Sequence, residues 1–231
     1  MHKLVHFRLC PFSRSVRLAL AELKIEVKLE DERPWDWRTE FLALNPSGEL
    51  PVLCPDDRAP VCGTYAISEY LADTAGPMAA SSAMALFPGD AAQRAEIRRL
   101  ADWFHGKLYR EVTQPLLDQK IYSRFDASGV RKPDADVLRS ARANLRYHLG
   151  YLEFLMHERN WLAGPDMSFA DLCVGAHISC LDYLNEIAWD DRSAARQWYA
   201  RMKSRPSLRV ILAERVPGAP LPPQHYMDPD F

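Results

Sequence analysis

The chain has 231 residues, of which 48% are hydrophobic and 26% charged, an ordinary composition for a globular protein long enough to bury a sizeable core. Lys and Arg total 29 against 31 Asp and Glu, a formal net charge of -2, so the basic excess that a large non-specific nucleic-acid surface needs is absent. Neither a run of about 18 apolar residues nor the apolar centre of a signal peptide is found, and we therefore expect a cytoplasmic protein without membrane spans.

The first third of the chain alternates short strands with helices. Proline suits the first helical turn, so Cys10-Pro11-Phe12-Ser13 is predicted to open a helix. Alternating apolar and charged residues indicate strands, and apolar residues three and four apart indicate helices. These patterns predict a strand at 3–7, a helix from 11, a strand at 25–29, two strands at 50–53 and 59–62, and a helix at 64–72.

The rest of the chain shows helical periodicity only, after a linker-like composition from Ala75 to Asp90. Wide apolar stripes of this kind serve a shared core. Cys173 and Cys180 fall on one stripe and are interpreted as buried small side chains. No C-x-x-C pair or histidine cluster is present, so no metal site is predicted. The stripes include Ile97, Leu100, Phe104 and Leu108, then Leu138 to Met156, then Val174, Ile178, Leu181 and Leu184, and finally Trp198 and Met202.

The segment from Val216 to Phe231 has a different composition, with five prolines among its sixteen residues and aromatic and acidic residues near its end. Proline removes a backbone donor and fixes φ, so this segment is not expected to be helical. Three interpretations stay open: a frayed tail, a tail packed along its own helical domain, or a stiff docking peptide that loses little entropy on binding. We expect the tail to bury little area within its own domain.

Several of these stretches resemble the glutathione-transferase family. Phe41 to Leu53 is similar to the family's Asn-Pro turn and cis-proline strand, and Tyr65 to Leu71 resembles the helix after its fourth strand. Ser168 to Asp171 resembles the family's capping box, and Arg205-Pro206-Ser207 resembles a late helix junction. The resemblance implies an α/β plus all-α fold: a thioredoxin-like domain with a mixed four-stranded sheet at 1–76, a linker at 77–90, a helical-bundle domain at 91–215 and a proline-rich tail at 216–231.

The resemblance also implies a ligand groove. In the family, glutathione pairs with the backbone of the residue before the cis-proline, here Leu50 before Pro51, and its carboxylate lies at the next helix N-terminus. An acidic residue followed by serine usually stands there, whereas this chain has Gly63 and Thr64. A lost hydrogen bond to a charged group, about 1.5–3 kcal/mol, weakens binding by about 10- to 100-fold. We therefore expect little or no glutathione binding, and no cofactor.

Cys10 leaves two interpretations open. The segment from Cys10 to Ser13 resembles the thiol-bearing branch of the family, in which a cysteine at a helix N-terminus has a lowered pKa and acts as a nucleophile. Ser13 stands where a resolving cysteine would be, so only a route through a glutathione mixed disulfide remains. The other interpretation is a packing cysteine, which Gly63 favours. A glutathione-dependent transferase or thiol transferase using Cys10 is thus the alternative function.

Three segments resemble, more narrowly, a branch of the family that acts in bacterial cell division. They are Leu9 to Leu20, the Pro34-Trp35 turn and the ending Pro222 to Phe231. The resemblance implies a non-catalytic scaffold, at the division site, that binds filaments of the tubulin-like GTPase FtsZ. Tryptophans beside arginines are good interface anchors, and we expect one tryptophan of the 35/37 pair in the core and one on the surface. The expected partner-binding residues are Trp35, Trp37, Arg38, Tyr226, Asp228, Asp230 and Phe231.

The family resemblance further implies a homodimer in which the N-terminal domain of one subunit meets the helical domain of the other. Trp103 and Leu108 widen the apolar arc of the helix that carries Ile97 beyond what one core face needs. Neither nucleic acid nor a membrane is an expected partner.

Overall fold

A four-stranded mixed sheet forms the centre of the N-terminal part. The computed structural model describes residues 1–79, 85–125, 131–191 and 193–228. The strands are β1 (His2–His6), β2 (Val27–Asp31), β3 (Val52–Cys54) and β4 (Val61–Cys62). Their order is β2-β1-β3-β4; β1 runs parallel to β2 and antiparallel to β3, which pairs antiparallel with β4. The predicted mixed four-stranded sheet is confirmed.

Three helices pack against this sheet: α1 (Pro11–Glu22), α2 (Thr39–Leu44) and α3 (Thr64–Ala79). α1 begins where predicted, with Pro11 in its first turn. At its other end Lys24 adopts φ 57° and the N–H of Ile25 donates to Leu20 at 2.9 Å. Ile25 therefore still belongs to the helix-terminating turn, and β2 begins later than the sequence pattern predicted. Neither α2 nor the short 3-10 helix Pro34–Asp36 before it was predicted.

The second half is helical, as predicted. One continuous run comprises α4 (Ala91–Asp102), a π-helical segment (Trp103–Thr113) and α5 (Gln114–Lys120); it is followed by α6 (Ala135–Glu158), α7 (Phe169–Tyr183), α8 (Ala194–Lys203) and α9 (Pro206–Leu212). Every residue of α7 is buried, including Cys173 and Cys180, so those two cysteines are core residues as predicted. The Ser168–Asp171 capping box is formed at its start. None of the described helices is both long and apolar enough to cross a bilayer.

The start expected for the linker, residue 77, lies inside α3, which continues to Ala79. The first turns of α3 are held by Ile67 and Leu71, which are buried in the core. A proline in the last turn of a helix removes only one hydrogen bond, so the turns before it can support the Gly76-Pro77 pair. Linker composition therefore predicted the end of α3 too early.

α1 is joined to the helical part by three polar contacts along one face. Arg14 is almost completely buried and donates to a hydroxyl of α7, while Arg17 and Glu22 form ion pairs with residues after α8. Such contacts hold the two halves at a fixed distance, which defines the cleft between them. The three pairs are Arg14–Ser179 (2.7 Å), Arg17–Glu214 (2.8 Å) and Arg205–Glu22 (2.6 Å).

Candidate functional site

A cavity of 790 Å³ lies in the cleft between the sheet and the helical half. Cys10, Leu50, Gly63 and Thr64 line it from the N-terminal side, so the structure brings the predicted groove residues and the candidate nucleophile into one space. The helical half adds His105, Tyr109 and Arg110, and the loop after β2 adds Trp35 and Trp37. Arg38, Tyr226 and Asp228 are not among the residues lining it.

The predicted backbone of the groove is present. The Leu50–Pro51 peptide bond is cis, and the carbonyl of Pro51 accepts from the N–H of Gly63 at 3.1 Å. Gly63 has φ +85°, and its carbonyl accepts from Ile67 at 3.0 Å to begin α3. A Cβ at position 63 would have no heavy atom within 4 Å, so a side chain here would have room but a strained backbone. The sequence did not indicate that residue 63 must adopt a left-handed backbone conformation.

The N-terminus of α3 forms one wall of the cavity. Thr64 and Tyr65 line it, and the hydroxyl of Thr64 donates to the carbonyl of Phe12 at 3.5 Å. The first N–H groups of a helix have no partner within the helix, and the helix dipole favours an anion there. Arg110, an exposed residue with no hydrogen bond or ion pair to the other residues of the described ranges, lines the same cavity. The cleft is therefore suited to a ligand with a negative charge at this end.

Cys10 is the N-cap of α1, and its Sγ accepts from the N–H of Ser13 at 3.5 Å. Burial nevertheless raises the pKa of the Cys10 thiol, because desolvation of the thiolate outweighs the hydrogen bonds from Ser13 and Phe12. The lowered pKa that a helix N-terminus implied is therefore wrong. The hydroxyl of Ser13 accepts from the N–H of Phe7 at 3.3 Å and holds the end of β1.

A chain of hydrogen bonds that sequence reasoning missed crosses the domain interface behind Phe12. The hydroxyl of Ser15 donates to the carbonyl of Phe12 at 2.9 Å, so its oxygen accepts from Nε2–H of His105 at 3.1 Å. Nδ1 of His105 then accepts from Nε2–H of His177 at 2.9 Å. Nδ1 of His177 in turn accepts from the hydroxyl of Thr113 at 2.9 Å. Each proton position follows from its neighbour, and both imidazoles are neutral.

Burial keeps this pair uncharged. Desolvation lowers the pKa of His105 to about 3 and holds the pKa of His177 well below its usual value. Ser15 faces a histidine nitrogen as a nucleophile would, yet it is fully buried and its proton is committed to a carbonyl. This series of hydrogen bonds therefore joins α1 to the helical half and supplies no reactive group to the cleft.

The loop after β2 separates the two tryptophans: Trp35 is partly buried against the core, and Trp37 is exposed. Trp35 packs against Phe7, Tyr122 and Phe125, with ring centroids 5.0–5.5 Å away. The side chain of Trp37 is 64% exposed, and its backbone has φ 48°. Its ring lies over Gly48, where a Cβ, if one were present, would be only 3.1 Å away. Trp37 is thus the surface residue of the pair, and Trp35 fixes its loop to the helical half.

Arg38 follows on the same loop and is half exposed. Its Nη2 donates to Oε2 of the buried Glu32 at 2.6 Å, and its Nε lies 3.2 Å from the same oxygen. The hydrogen bond to Glu32 raises the pKa of the guanidinium. A binding partner would therefore contact Arg38 while its guanidinium is already paired with Glu32.

The C-terminal tail differs from the expectation drawn from its prolines. Residues Gln224–Met227 form a 3-10 helix, and Tyr226 is completely buried 5.4 Å from the ring of Tyr183. The expectation that the tail buries little area in its own domain is wrong, and Tyr226 is a core residue with no surface to offer a partner. Asp228 is exposed. The predicted binding residues Asp230 and Phe231 lie outside the described residues.

Comparison with known proteins places both halves in one family. Residues 4–79 match the family described as glutathione S-transferase, N-terminal domain, and residues 132–215 match glutathione S-transferase, C-terminal domain. FtsZ-localized protein A of Caulobacter vibrioides is 43% identical over 229 residues, which are 98% of this chain and 96% of that protein. Glutathione S-transferase 2 of Saccharomyces cerevisiae is 27% identical, over 89% of this chain and 87% of that protein.

Two solved structures superpose over almost their whole length. A glutathione S-transferase from Sinorhizobium meliloti has a TM-score of 0.94 and 46% sequence identity, with both chains covered completely. FzlA from Caulobacter crescentus has a TM-score of 0.91 and 43% identity, with 100% of this chain and 99% of that one covered.

Proposed function

The chain belongs to the glutathione S-transferase family, and we propose that within it this protein is a non-catalytic dimeric scaffold that binds FtsZ filaments in bacterial cell division. The observation that carries the proposal is the 43% identity to FtsZ-localized protein A, which extends over 98% of the chain. The structural likeness to FzlA supports the same assignment.

The chemistry of the cleft supports a role without catalysis. Burial raises the pKa of Cys10, so little thiolate is present at neutral pH. Gly63 supplies no carboxylate to an amino group of glutathione, and its positive φ disfavours any other residue in that conformation. The two features that a thiol-dependent transferase needs, an ionised thiol and an acidic ligand anchor, are thus both weakened at the same site.

A second function, a glutathione-dependent transferase or thiol transferase using Cys10, has its own support. The cis Leu50–Pro51 bond and the free N-terminus of α3 are retained beside Cys10 in one cavity. The 46% identity to the Sinorhizobium meliloti glutathione S-transferase points the same way. A purified protein that binds glutathione with micromolar affinity in calorimetry and reduces a glutathione mixed disulfide would favour this function.

The dimer proposal draws on an exposed aromatic face of α6. Tyr147 and Phe154 are 62% and 61% exposed and stand seven residues apart, which places them on one side of the helix. Large exposed rings in a row are typical of an interface. Leu108, expected to widen such a face, is instead buried in the subunit's own core. We expect the N-terminal domain of a second subunit to cover Tyr147 and Phe154.

The surface we propose for the filament comprises Trp37, the Arg38–Glu32 pair and Asp228. Trp37 offers a large exposed ring and Asp228 an exposed carboxylate, the kind of apolar and charged groups that form binding hot spots and their rims. Co-sedimentation of the purified protein with FtsZ polymerised in GTP tests the proposal, and GDP, in which filaments disassemble, is the control. Protein that stays in the supernatant under both conditions contradicts it. Light scattering on the same sample tests the dimer, and a fluorescent fusion tests the expected location at the division site.

A further inference from the structure

The tail from Val216 to Asp228 lies on its own helical domain much as a bound peptide would. The hydroxyl of Tyr183 donates to the carbonyl of Pro220 at 2.8 Å, and Tyr226 is buried against Tyr183. Val216 is buried at the start of the segment. The backbone of the last part of the tail is also held by a side chain from the end of α8.

That side chain is Lys203, whose ammonium group is completely buried. Its Nζ donates to the carbonyl of His225 at 2.8 Å and to the carbonyl of Asp228 at 2.9 Å. Its third neighbour is Oδ2 of Asp182, at 3.5 Å. An ammonium group has three donors, and the carbonyls of His225 and Asp228 both accept from this one. Lys203 therefore bridges both ends of the 3-10 turn that carries Tyr226.

Asp182 completes the anchor from α7. This buried carboxylate accepts from Nε2 of His225 at 3.1 Å and from Nε1 of Trp189 at 3.2 Å. The hydroxyl of Tyr199 lies 3.4 Å from its other oxygen. His225 is thus held by its carbonyl through Lys203 and by its ring through Asp182, so the tail cannot rotate at this residue without breaking two bonds to buried charges.

We propose that Lys203 is a positioning residue for filament binding, which fixes the conformation of residues 225–228 so that the carboxylate of Asp228 is presented at the surface. The inference rests on the proposed function. An exposed carboxylate on a free tail would lose conformational entropy on binding, whereas one on an anchored turn is already ordered. The anchor thus accounts for a costly buried ammonium group far from the cleft.

The test compares four variants by two measurements, the filament affinity in co-sedimentation and the amide hydrogen exchange of residues 224–228. Lys203→Met keeps the apolar stem and removes the donors. His225→Ala removes the ring that bonds to Asp182, at a partly exposed position. Tyr199→Phe is the matched control, because it removes a bond to Asp182 that comes from α8 and leaves the bonds of Lys203 and His225 in place. Asp228→Asn reports on the carboxylate itself.

We expect faster exchange in the tail and about tenfold weaker filament binding for Lys203→Met, and a smaller effect in the same direction for His225→Ala. Tyr199→Phe should change neither measurement. If tail exchange rises in both tail variants while their filament affinity equals that of the wild type, and Asp228→Asn still weakens binding, the positioning role is refuted and the proposed function stands. A wild-type protein that does not bind filaments contradicts the proposed function, and unchanged tail exchange in Lys203→Met refutes the anchor itself.

Discussion

Nδ1 of His105 lies 2.9 Å from Nε2 of His177, and this bond joins the π-helical segment to α7 behind the wall of the cleft. Both rings are neutral when the protein is folded, because burial lowers the pKa of His105 to about 3 and that of His177 well below its usual value. In the unfolded chain the same rings take up protons below about pH 6.5.

The first prediction is therefore a loss of stability in mild acid. A histidine whose folded pKa is depressed contributes stability that is complete above the unfolded pKa and declines as the pH falls towards the folded pKa. Each such ring lowers the free energy of unfolding by about 1.4 kcal/mol per pH unit below pH 6.5. Urea denaturation between pH 6.5 and 5 measures the slope before carboxylates such as Glu96, with a pKa lowered to about 2, contribute.

His177→Gln provides the matched variant, because glutamine can donate and accept hydrogen bonds but does not titrate. The free energy of unfolding of this variant should fall less steeply with acid, and the two slopes should differ by about 1.4 kcal/mol per pH unit. His6 and His148, whose pKa values burial also lowers, contribute equally to both slopes. Equal slopes for the two proteins would show that the histidine pair does not take part.

The second prediction concerns Gly63. Gly63→Glu should strengthen glutathione binding by about 10- to 100-fold, because a carboxylate is restored to a position with open space around it. The same change should lower the free energy of unfolding by about 1–2 kcal/mol, because φ +85° is strained for any residue with a Cβ. Calorimetry and urea denaturation measure the two effects. Gly63→Ala separates them, since it should lose the stability without gaining affinity; a gain of affinity in Gly63→Ala would refute the carboxylate argument.

The third prediction is that Cys10 reacts slowly. Because burial raises its pKa, the rate of alkylation by iodoacetamide, followed for its peptide by mass spectrometry, should have a midpoint above the ordinary value of about 8.5. The urea-unfolded protein is the control and should show the ordinary midpoint. A midpoint near or below neutrality in the folded protein would indicate an activated thiolate and favour the transferase function.

The fourth prediction contrasts the two tryptophans. Trp37→Ala should leave thermal stability almost unchanged and weaken filament co-sedimentation by about 30-fold, the effect of losing a binding hot spot of about 2 kcal/mol. Trp35→Ala should lower stability by about 3 kcal/mol, because its ring packs against three other rings. Unchanged filament binding by a folded Trp37→Ala protein would remove Trp37 from the proposed surface.

The fifth prediction concerns the tail, in which Tyr226 is buried and Asp228, two residues later, is exposed. Tyr226→Ala should cost about 3–5 kcal/mol of folding free energy, because it empties a fully buried aromatic site. Asp228→Lys should leave the melting temperature nearly unchanged and weaken filament binding, because it reverses an exposed charge. If Asp228→Lys binds filaments as the wild type does, the tail carries a structural role only.

Sequence periodicity predicted the order of strands and helices in the N-terminal half because each of those elements buries one face of its own. It missed α2 and α9, which have six and seven residues and are too short for a recognisable stripe. The family resemblance assigned Leu50, Gly63 and Thr64 to one ligand groove, and in the structure these three residues line one cavity. The burial that raises the pKa of Cys10, where a lowered pKa was expected, comes from residues distant in sequence. The local sequence around Cys10 therefore could not predict it.

The histidine chain left a signal that was available in the sequence. His177 stands in the continuous apolar run that became α7, and a polar ring inside such a run needs a buried partner. Its partner, His105, is 72 residues away, so the sequence alone could suggest the need without naming the residue. The prediction for the tail was wrong for the same reason. The residues that anchor it, Lys203 and Asp182, are distant in sequence, and composition cannot connect them to a proline-rich segment.

The contacts that α1 makes with the helical half have a consequence for how the molecule comes apart. Arg14 bonds to groups from both halves, and separating the halves would remove Ser179 from its guanidinium and would leave the guanidinium groups of Arg17 and Arg205 without Glu214 and Glu22. Breaking a buried pair of this kind costs more than the pair gained when it formed. We therefore expect the N-terminal and helical halves to unfold as one cooperative unit, although α3 separates them along the chain.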